Sequence, residues 1–342
     1  MARPTVNDIA RAAGVSLATV DRVLNQRPGV TDKTVGRVNA AIDALGYVRD
    51  VTAANLARQR RYRMTFVLPE TPVLFVGTLR EAIAEAVRGS ADDRTDVRIV
   101  SFPAGNPHAL VRSLRTISRA DTDGLAIFAP ETPHVRDAIA RLKADGVPIV
   151  ALVSDLPNTD RDHFVGIDNV AAGRTAGVLM GKFHGGRPGS VMVLVSSMQA
   201  RDNVERRLGF DHVMAERFPL IEVLPSVEGH DDDAVTARAV SAVLDGRPDV
   251  TGIYSVGHGS RALLDVLAPR VAPGTLSVVA HELTKVTRQA LTSGMFDAVI
   301  SQNVGHIVRS AIRVLRAKSD GLGIVASQER IRIEIVVREN LP

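Results

Sequence analysis

The sequence predicts an α/β chain in two parts. A three-helix, helix-turn-helix head comes first, followed by a body of two lobes, each a doubly wound parallel sheet. Three observations predict it. Short helical patterns with a glycine at the turn fill roughly the first 49 residues. From Met64 short apolar runs alternate with amphipathic helical stretches. Those runs fall into two successive series, which reads as two similar lobes.

In chain order, "VNDIARAAG" has Thr5 or Asn7 as cap, Ile9, Ala10 and Ala13 at helical spacing, and Gly14 at its end. Ser16 is the cap candidate for a second helix, Leu17 to Asn25, with Val20, Val23 and Leu24 as an inward stripe. Thr31 is the cap candidate for a third, Asp32 to Leu45, with Val35, Val38, Ile42 and Leu45 inward and Gly46 as its stop. Helix, glycine turn, helix is the helix-turn-helix pattern. Leu17, Ala18, Asp21 and Arg22 lie together opposite the inward stripe of the second helix. In a major groove Arg22 would meet guanine O6 and N7, or a phosphate. Leu17 and Ala18 would meet a thymine methyl, and Asp21 would accept from cytosine N4 or orient Arg22. Residues 51 to 61 are Ala-rich and polar, with Leu56 the lone large apolar residue. A helix of roughly eight residues is marginal by itself. The stretch reads as a segment that folds on DNA with Leu56 as a minor-groove wedge, or as a linker.

In the body, "MTFVLP", "VRIVSF", "GLAIFA" and "IVALVS" read as the strands of one series; "SVMVLVSS", "IEVLPSV", "GIYSVG" and "LSVVAHE" read as a second. "GTLREAIAEAVRG" and "DDDAVTARAVSAVLDG" are among the helices between them. "FDAVISQN" is a later strand and "RIRIEIVVREN" an alternating one that returns to a lobe. Ligands bind beyond the carboxyl ends of parallel strands, so two facing lobes make a cleft.

Composition bounds the partners. Of 342 residues, 45% are hydrophobic and only 4% aromatic, so Ala, Val, Ile and Leu must build the core. Cys is absent, which excludes disulfides, thiolate chemistry and Cys-ligated metals. No apolar region follows the first charges of "MARPTVNDIARAAG", and no run of about 18 apolar residues occurs. A cytoplasmic protein with no membrane span is expected. Through Arg63 there are eleven basic and five acidic residues; the whole chain is +4, so the remainder carries a deficit of two. A basic head on a mildly acidic body fits an anionic polymer as partner of the head, or simply a solvated basic end.

Residues 1 to 60 resemble the DNA-binding head of the lactose-repressor (LacI/GalR) family of bacterial regulators, through "TVNDIARAAGVSLATVDRVLNQRPGVTDKTVGRVNAAIDALGYV" and then "ANLA". The resemblance implies DNA contacts from Thr5, Ser16, Leu17, Ala18, Thr19, Asp21, Arg22, Asn25 and Thr31. It also implies a hinge helix over 50 to 58 whose Leu56 intercalates at the centre of a pseudo-palindromic operator bound by a homodimer. Asp21 stands where Ser is commoner, Arg49 where Pro is common and Asp50 where Asn is common.

The body resembles the periplasmic sugar-binding-protein fold used as that family's regulatory domain. The matching segments are "VGIDNVAAGRTAGVLMG", "ERRLGF", "VVAHELT" and "VISQN". The implied division is 1–49 for the head, 50–63 for hinge and linker, and 64–342 for the body. Lobe 1 spans about 64–162 plus 292–324, and lobe 2 about 163–291 plus 325–342. The implied effector is a sugar or polyol. Carboxylates accept from hydroxyls, Arg donates from a fixed fork and amides do both. Arg206 leads the implied ligand set, then Glu282 and Gln302, with Phe75 as a ring wall. Ser154, Asp155, Asn169, Asp231 and His258 are further candidates at strand ends. For Arg206 the alternative is a surface salt bridge with Glu205 or Glu216; for Asp155 and Asp168 it is a turn or cap. His258 and Gly259 stand near where relatives often place Asn and Asp, which leaves a non-sugar ligand open.

An enzyme should leave a motif, and none is found. No G-x-G-x-x-G follows a strand, "GGRPGS" lacks the Lys-Ser/Thr of a P-loop, "HELTK" has Lys285 where a zinc helix needs its second His, and "GHGSR" is not a nucleophile elbow. No cofactor or metal is expected. The competing readings are a transport binding protein, or a sugar-modifying enzyme fused to a DNA module.

Overall fold

Thr5 starts the first helix. Its backbone is extended, its hydroxyl accepts from the Asp8 amide at 3.4 Å, and Asp8 Oδ2 accepts from the Thr5 amide at 2.9 Å, a reciprocal capping box. The helix, α1 (Val6–Ala13), ends at Gly14, whose φ of 60° suits a residue without a Cβ. Ser16 Oγ accepts from the Thr19 amide at 3.2 Å at the start of α2 (Leu17–Leu24). Thr31 stands at the N-cap of α3 (Asp32–Leu45), but the expected side-chain cap does not form. Its hydroxyl lies 3.0 Å from Thr34 Oγ1, so the two hydroxyls satisfy each other instead of a backbone amide. Ile9, Ala13, Val20, Val38 and Ala41 make the buried core of these helices. Val35, expected inward, is only half-buried.

This computed structural model describes residues 4–24, 27–47, 60–71, 73–89 and 94–342, in two units, Met1–Arg60 and Arg61–Pro342. Asn25, Arg49, Asp50, Leu56 and the expected hinge helix over 50 to 58 lie outside the described residues.

The second unit holds two sheets. The first contains β1 (Tyr62–Glu70), β2 (Thr95–Pro103), β3 (Gly124–Ile127), β4 (Ile149–Leu152) and β5 (His163–Val165) in the order β2-β1-β3-β4-β5, all parallel. "GLAI" and "IVAL" are buried at every position, as central parallel strands covered on both faces must be. Helices α4 (Leu74–Gly89), α5 (Pro107–Arg115) and α6 (Pro133–Ala144) alternate with its strands. The second sheet contains β6 (Gly189–Val195), β7 (Ile221–Glu228), β8 (Val250–Ser255), β9 (Ser277–His281), β10 (Ala298–Gln302) and β11 (Ile333–Val336), ordered β11-β10-β9-β8-β6-β7. Only β11 runs antiparallel, against β10. Its helices are α7 (Asn169–His184), α8 (Arg201–Arg217), α9 (Asp233–Gly246), α10 (Ser260–Leu267) and α11 (Lys285–Thr292).

Two lobe boundaries differ from expectation. The strand His163–Val165 belongs to the first sheet, so the crossing expected near 163 falls after Val165. The crossing expected near 292 falls after Gln302, because β10 pairs with β9 and β11 and so belongs to the second lobe. Each crossing leads into a capped helix. Asp168 Oδ1 accepts from the Ala171 amide at 2.9 Å, and Asn303 Oδ1 from the His306 amide at 2.8 Å. The helix after Asn303, α12 (Val304–Ser319), packs back on β1, β3, β4, β5 and α4. Among the described residues, no helix is long and apolar enough to cross a membrane.

Candidate functional site

The carboxyl ends of both sheets face a cavity of about 910 Å³. Its first-lobe wall comes from the loops after β1, β2, β3 and β4 and from the start of α4; its second-lobe wall comes from the loops after β6, β7, β8 and β9 and the first turns of α8.

Arg206 forms the floor. It is 2% exposed, and each of its three guanidinium nitrogens donates: Nε to Asn169 Oδ1 at 2.8 Å, Nη1 to the Val256 carbonyl at 2.9 Å, and Nη2 to Glu282 Oε1 at 3.2 Å. This excludes a surface salt bridge with Glu205 or Glu216. One N–H remains on each of Nη1 and Nη2. Gln302 Nε2 also donates to Glu282 Oε1, at 2.8 Å. Both bonds fall on one carboxylate oxygen. Burial pushes the Glu282 carboxyl above the usual range, against the opposing pull of Arg206 and Gln302.

Backbone geometry aims these groups. Val153, Asp231 and Glu282, at or just beyond the ends of β4, β7 and β9, have φ of 64°, 57° and 66° and line the cavity. Left-handed φ is strained for residues with a Cβ, and such strain concentrates where ligands are gripped. Burial pushes the Asp231 carboxyl up, partly offset by His258.

Of the residues singled out in the sequence, Phe75, Ser154, Arg206, Asp231, His258 and Glu282 line the cavity. Asp155, Asn169 and Gln302 do not. Asp155 is taken by Arg161, whose Nη2 donates to its Oδ2 at 2.6 Å. Asn169 braces Arg206 and donates to the Val153 carbonyl, and Gln302 braces Glu282 from behind. Asp168 caps α7.

Sequence reasoning missed His281, Asp202, Phe128 and Arg201. His281 is 1% exposed and lines the cavity; its Nε2 lies 2.9 Å from the Tyr254 hydroxyl, and its buried Nδ1 has no hydrogen-bond partner. Burial and then Arg206 hold it well below the usual imidazole range, so it is neutral at pH 7. The signal was present: His281 directly precedes Glu282 at a strand end. Arg201 spans the cleft at its lip, with Nε 2.7 Å from Glu205 Oε1 and Nη1 3.8 Å from Glu131 Oε2 on the opposite lobe.

The head offers a second candidate surface. Leu17, Ala18, Asp21 and Arg22 are exposed on α2 while Val20 is fully buried beneath them. Leu17 is 48% exposed, high for a large apolar side chain. Asp21 Oδ2 pairs with Arg27 Nη1 at 3.3 Å. Ser16 and Thr31 are exposed and Thr19 half-buried. Among the described residues, no group of three or more His, Cys, Asp or Glu is placed to hold a metal ion.

Comparison with known proteins adds two family matches. Residues 5–50 match the model "Bacterial regulatory proteins, lacI family", and residues 65–323 match the "Periplasmic binding protein domain". Among curated relatives, the HTH-type transcriptional regulator DegA of Bacillus subtilis is 29% identical over 176 residues, 51% of this chain and 50% of DegA. The catabolite control protein A of Priestia megaterium is 29% identical over 167 residues, 48% of this chain and 47% of that protein. The ribose operon repressor of Escherichia coli K12 is 30% identical over 131 residues, 37% of this chain and 38% of the repressor. The chain thus spans about half the length of the first two relatives and less of the third. Among solved structures, GanP, a glucose-galactose binding protein from Geobacillus stearothermophilus, superposes with a TM-score of 0.73 at 18% identity, covering 83% of this chain and 99% of GanP. An ABC transporter solute binding protein from Burkholderia graminis in complex with D-arabinose gives 0.74 at 23%, covering 82% and 96%. At these identities the likeness establishes the fold of the body.

Proposed function

Because the chain belongs to the lacI family of bacterial regulatory proteins, with a periplasmic-binding-protein domain as its body, we propose that it is a sequence-specific DNA-binding transcriptional repressor controlled by a small sugar or polyol in the cleft. The observation that carries the effector half is Arg206, an arginine 2% exposed with two free N–H groups at the floor of a cavity of about 910 Å³. Its bonds to Asn169, Val256 and Glu282 fix its orientation before ligand arrives. Phe75, Ser154, Asp231, His258 and Glu282 complete the first set of contacts. Asn169 and Gln302 act through Arg206 and Glu282.

The DNA half rests on the exposed face of α2. Leu17, Ala18, Asp21 and Arg22 read base edges in the major groove, with Thr5, Ser16, Thr19, Asn25 and Thr31 beside them on base edges and phosphates. Leu56 wedges the minor groove. A pseudo-palindromic operator needs two heads, so the working form is a homodimer. The protein works in the cytoplasm, catalyses no reaction and takes no cofactor. Ligand favours one relative setting of the two lobes, which alters hinge spacing in the dimer and shifts operator affinity. A coupling of about 1–3 kcal/mol is typical of such devices.

The test is a thermal-shift screen of the full chain against sugars and polyols, followed by operator titration with the best hit. A ligand at 100 times its Kd adds about 2.7 kcal/mol of stability. A hit that shifts operator affinity supports the reading; a hit that leaves it unchanged removes the effector role.

A further inference from the structure

The two walls of the cleft differ in kind. On the first lobe Val73, Phe75, Phe102, Phe128, Pro130 and Val153 present an apolar surface. Four polar side chains interrupt it, and three are engaged. Thr71 Oγ1 accepts from the Val73 amide, Thr132 Oγ1 caps α6 through the Val135 amide, and Glu131 Oε1 accepts from the Asn158 amide. Ser154 alone on this wall, among the described residues, has a hydroxyl without a bond. The second-lobe wall is the reverse. Besides Arg206 and Glu282 it presents Asp202 and Asp231, two carboxylates with no hydrogen bond or ion pair among the described residues, and the unpartnered Nδ1 of the buried His281.

A free sugar carries hydroxyls around its whole rim. A hydroxyl pressed on the apolar side chains of the first-lobe wall, away from Ser154 and the threonine hydroxyls, would lose water and gain no partner. An apolar group there gains by burial, and a flat one stacks on aromatic rings. The cavity, about 910 Å³, lies near the top of the roughly 300–1,000 Å³ that pockets for drug-sized ligands span, which leaves room beside a single ring.

We infer that the effector is amphipathic: a hydroxylated ring held by Asp202, Asp231, His281, Arg206 and Glu282, joined to a flat apolar group that packs on Phe75 and Phe128. This rests on the cleft being the effector site, as proposed above. Two chemistries share that description, an aryl glycoside and a nucleoside.

The experiment is isothermal calorimetry of the full chain with matched pairs: methyl and 4-nitrophenyl glycosides of glucose, galactose, mannose, xylose and arabinose, and methyl riboside against adenosine. At least one aromatic member should bind tenfold or more tighter than its methyl partner. Adenosine alone doing so identifies the nucleoside, and a nitrophenyl glycoside alone the aryl glycoside. Phe128→Ala should shrink that ratio to below threefold. Equal binding within every pair overturns the inference, and so does a panel with no aromatic binder. The matched pairs test it on the unaltered chain, whatever the variant does to folding. The parent reading fails separately, if Arg206→Ala leaves the affinity of every bound ligand unchanged.

Discussion

A Cβ at position 173 would lie 2.7 Å from the carbonyl carbon of Arg206, one helix away. Gly173, Gly177 and Gly181 follow at four-residue spacing along α7, and Gly209 answers from α8, where a Cβ would come 2.9 Å from the Arg174 amide nitrogen. The two helices therefore touch through their backbones, and this contact sets Arg206 within reach of Asn169.

Gly173→Ala pushes a methyl into rigid backbone, with no flexible side chain to yield. It should cost about 2–3 kcal/mol, read as a lower urea midpoint with unchanged m. Ligand binding should weaken with it, since the backbone of Arg206 must shift. A wild-type midpoint would show that the helices separate freely.

Gly36→Ala is the opposite case. Gly36 lies inside α3 with open space where a Cβ would go and no left-handed φ. Alanine there should raise the protection of α3 amides against hydrogen exchange in the full chain by about 0.5–1 kcal/mol. Unchanged protection would mean that α3 does not open on its own.

Arg206→Ala strands the Glu282 carboxylate in a buried floor, and breaking such a pair costs about 3–5 kcal/mol. The raised pKa of Glu282 softens this, because the carboxyl can take up a proton. The variant should lose its ligand-induced thermal shift and keep its operator affinity. A preserved shift at the same ligand concentration would exclude Arg206 from the site.

Arg22→Ala leaves folding untouched, since the side chain is exposed. Should Arg22 pair with a guanine, the cost is about 1–3 kcal/mol, confined to one operator position; should it hold a phosphate, all sequences weaken alike and the salt slope falls by about one. No change on any DNA would remove α2 from the interface. Leu56→Ala should lower operator affinity and leave ligand affinity alone.

His281 sets a pH dependence. Its folded pKa lies well below the unfolded value of 6.5, so it contributes stability at neutral pH that is lost as pH falls from 6.5 towards the folded value. One such group gives a slope of at most about 1.4 kcal/mol per pH unit. Glu282 and Asp231, with raised values, act in the opposite direction: their contribution is present at low pH and lost as pH rises through their folded values. The difference between wild type and His281→Asn in urea midpoint, from pH 7 to 5, isolates the histidine. The gap should change steadily below pH 6.5; a constant gap would mean that His281 takes up its proton alike in the folded and unfolded protein.

Legible in the sequence alone were the helices of the head, the alternation of strand and helix in the body, and most of its strands, though not the short His163–Val165. These are local properties: capping residues, 3.6-residue spacing and buried apolar runs act within a few residues. The exposed face of α2 stood out because the head's pattern is long and specific, and Arg206 and Glu282 stood out by a looser family resemblance in the body. Tertiary structure decided the rest. The strand Ala298–Gln302 carries nothing in its own residues that marks its lobe, and only its pairing with β9 and β11 assigns it to the second. Asn169 and Gln302 carry the chemistry of ligand contacts, yet neighbours distant in sequence turn them into braces. Phe128 and Asp202 carry no motif, and His281 stands in one without a role that the pattern assigns. They meet because two sheets present their carboxyl ends to one cavity, a relation between segments up to 150 or so residues apart that no local pattern encodes.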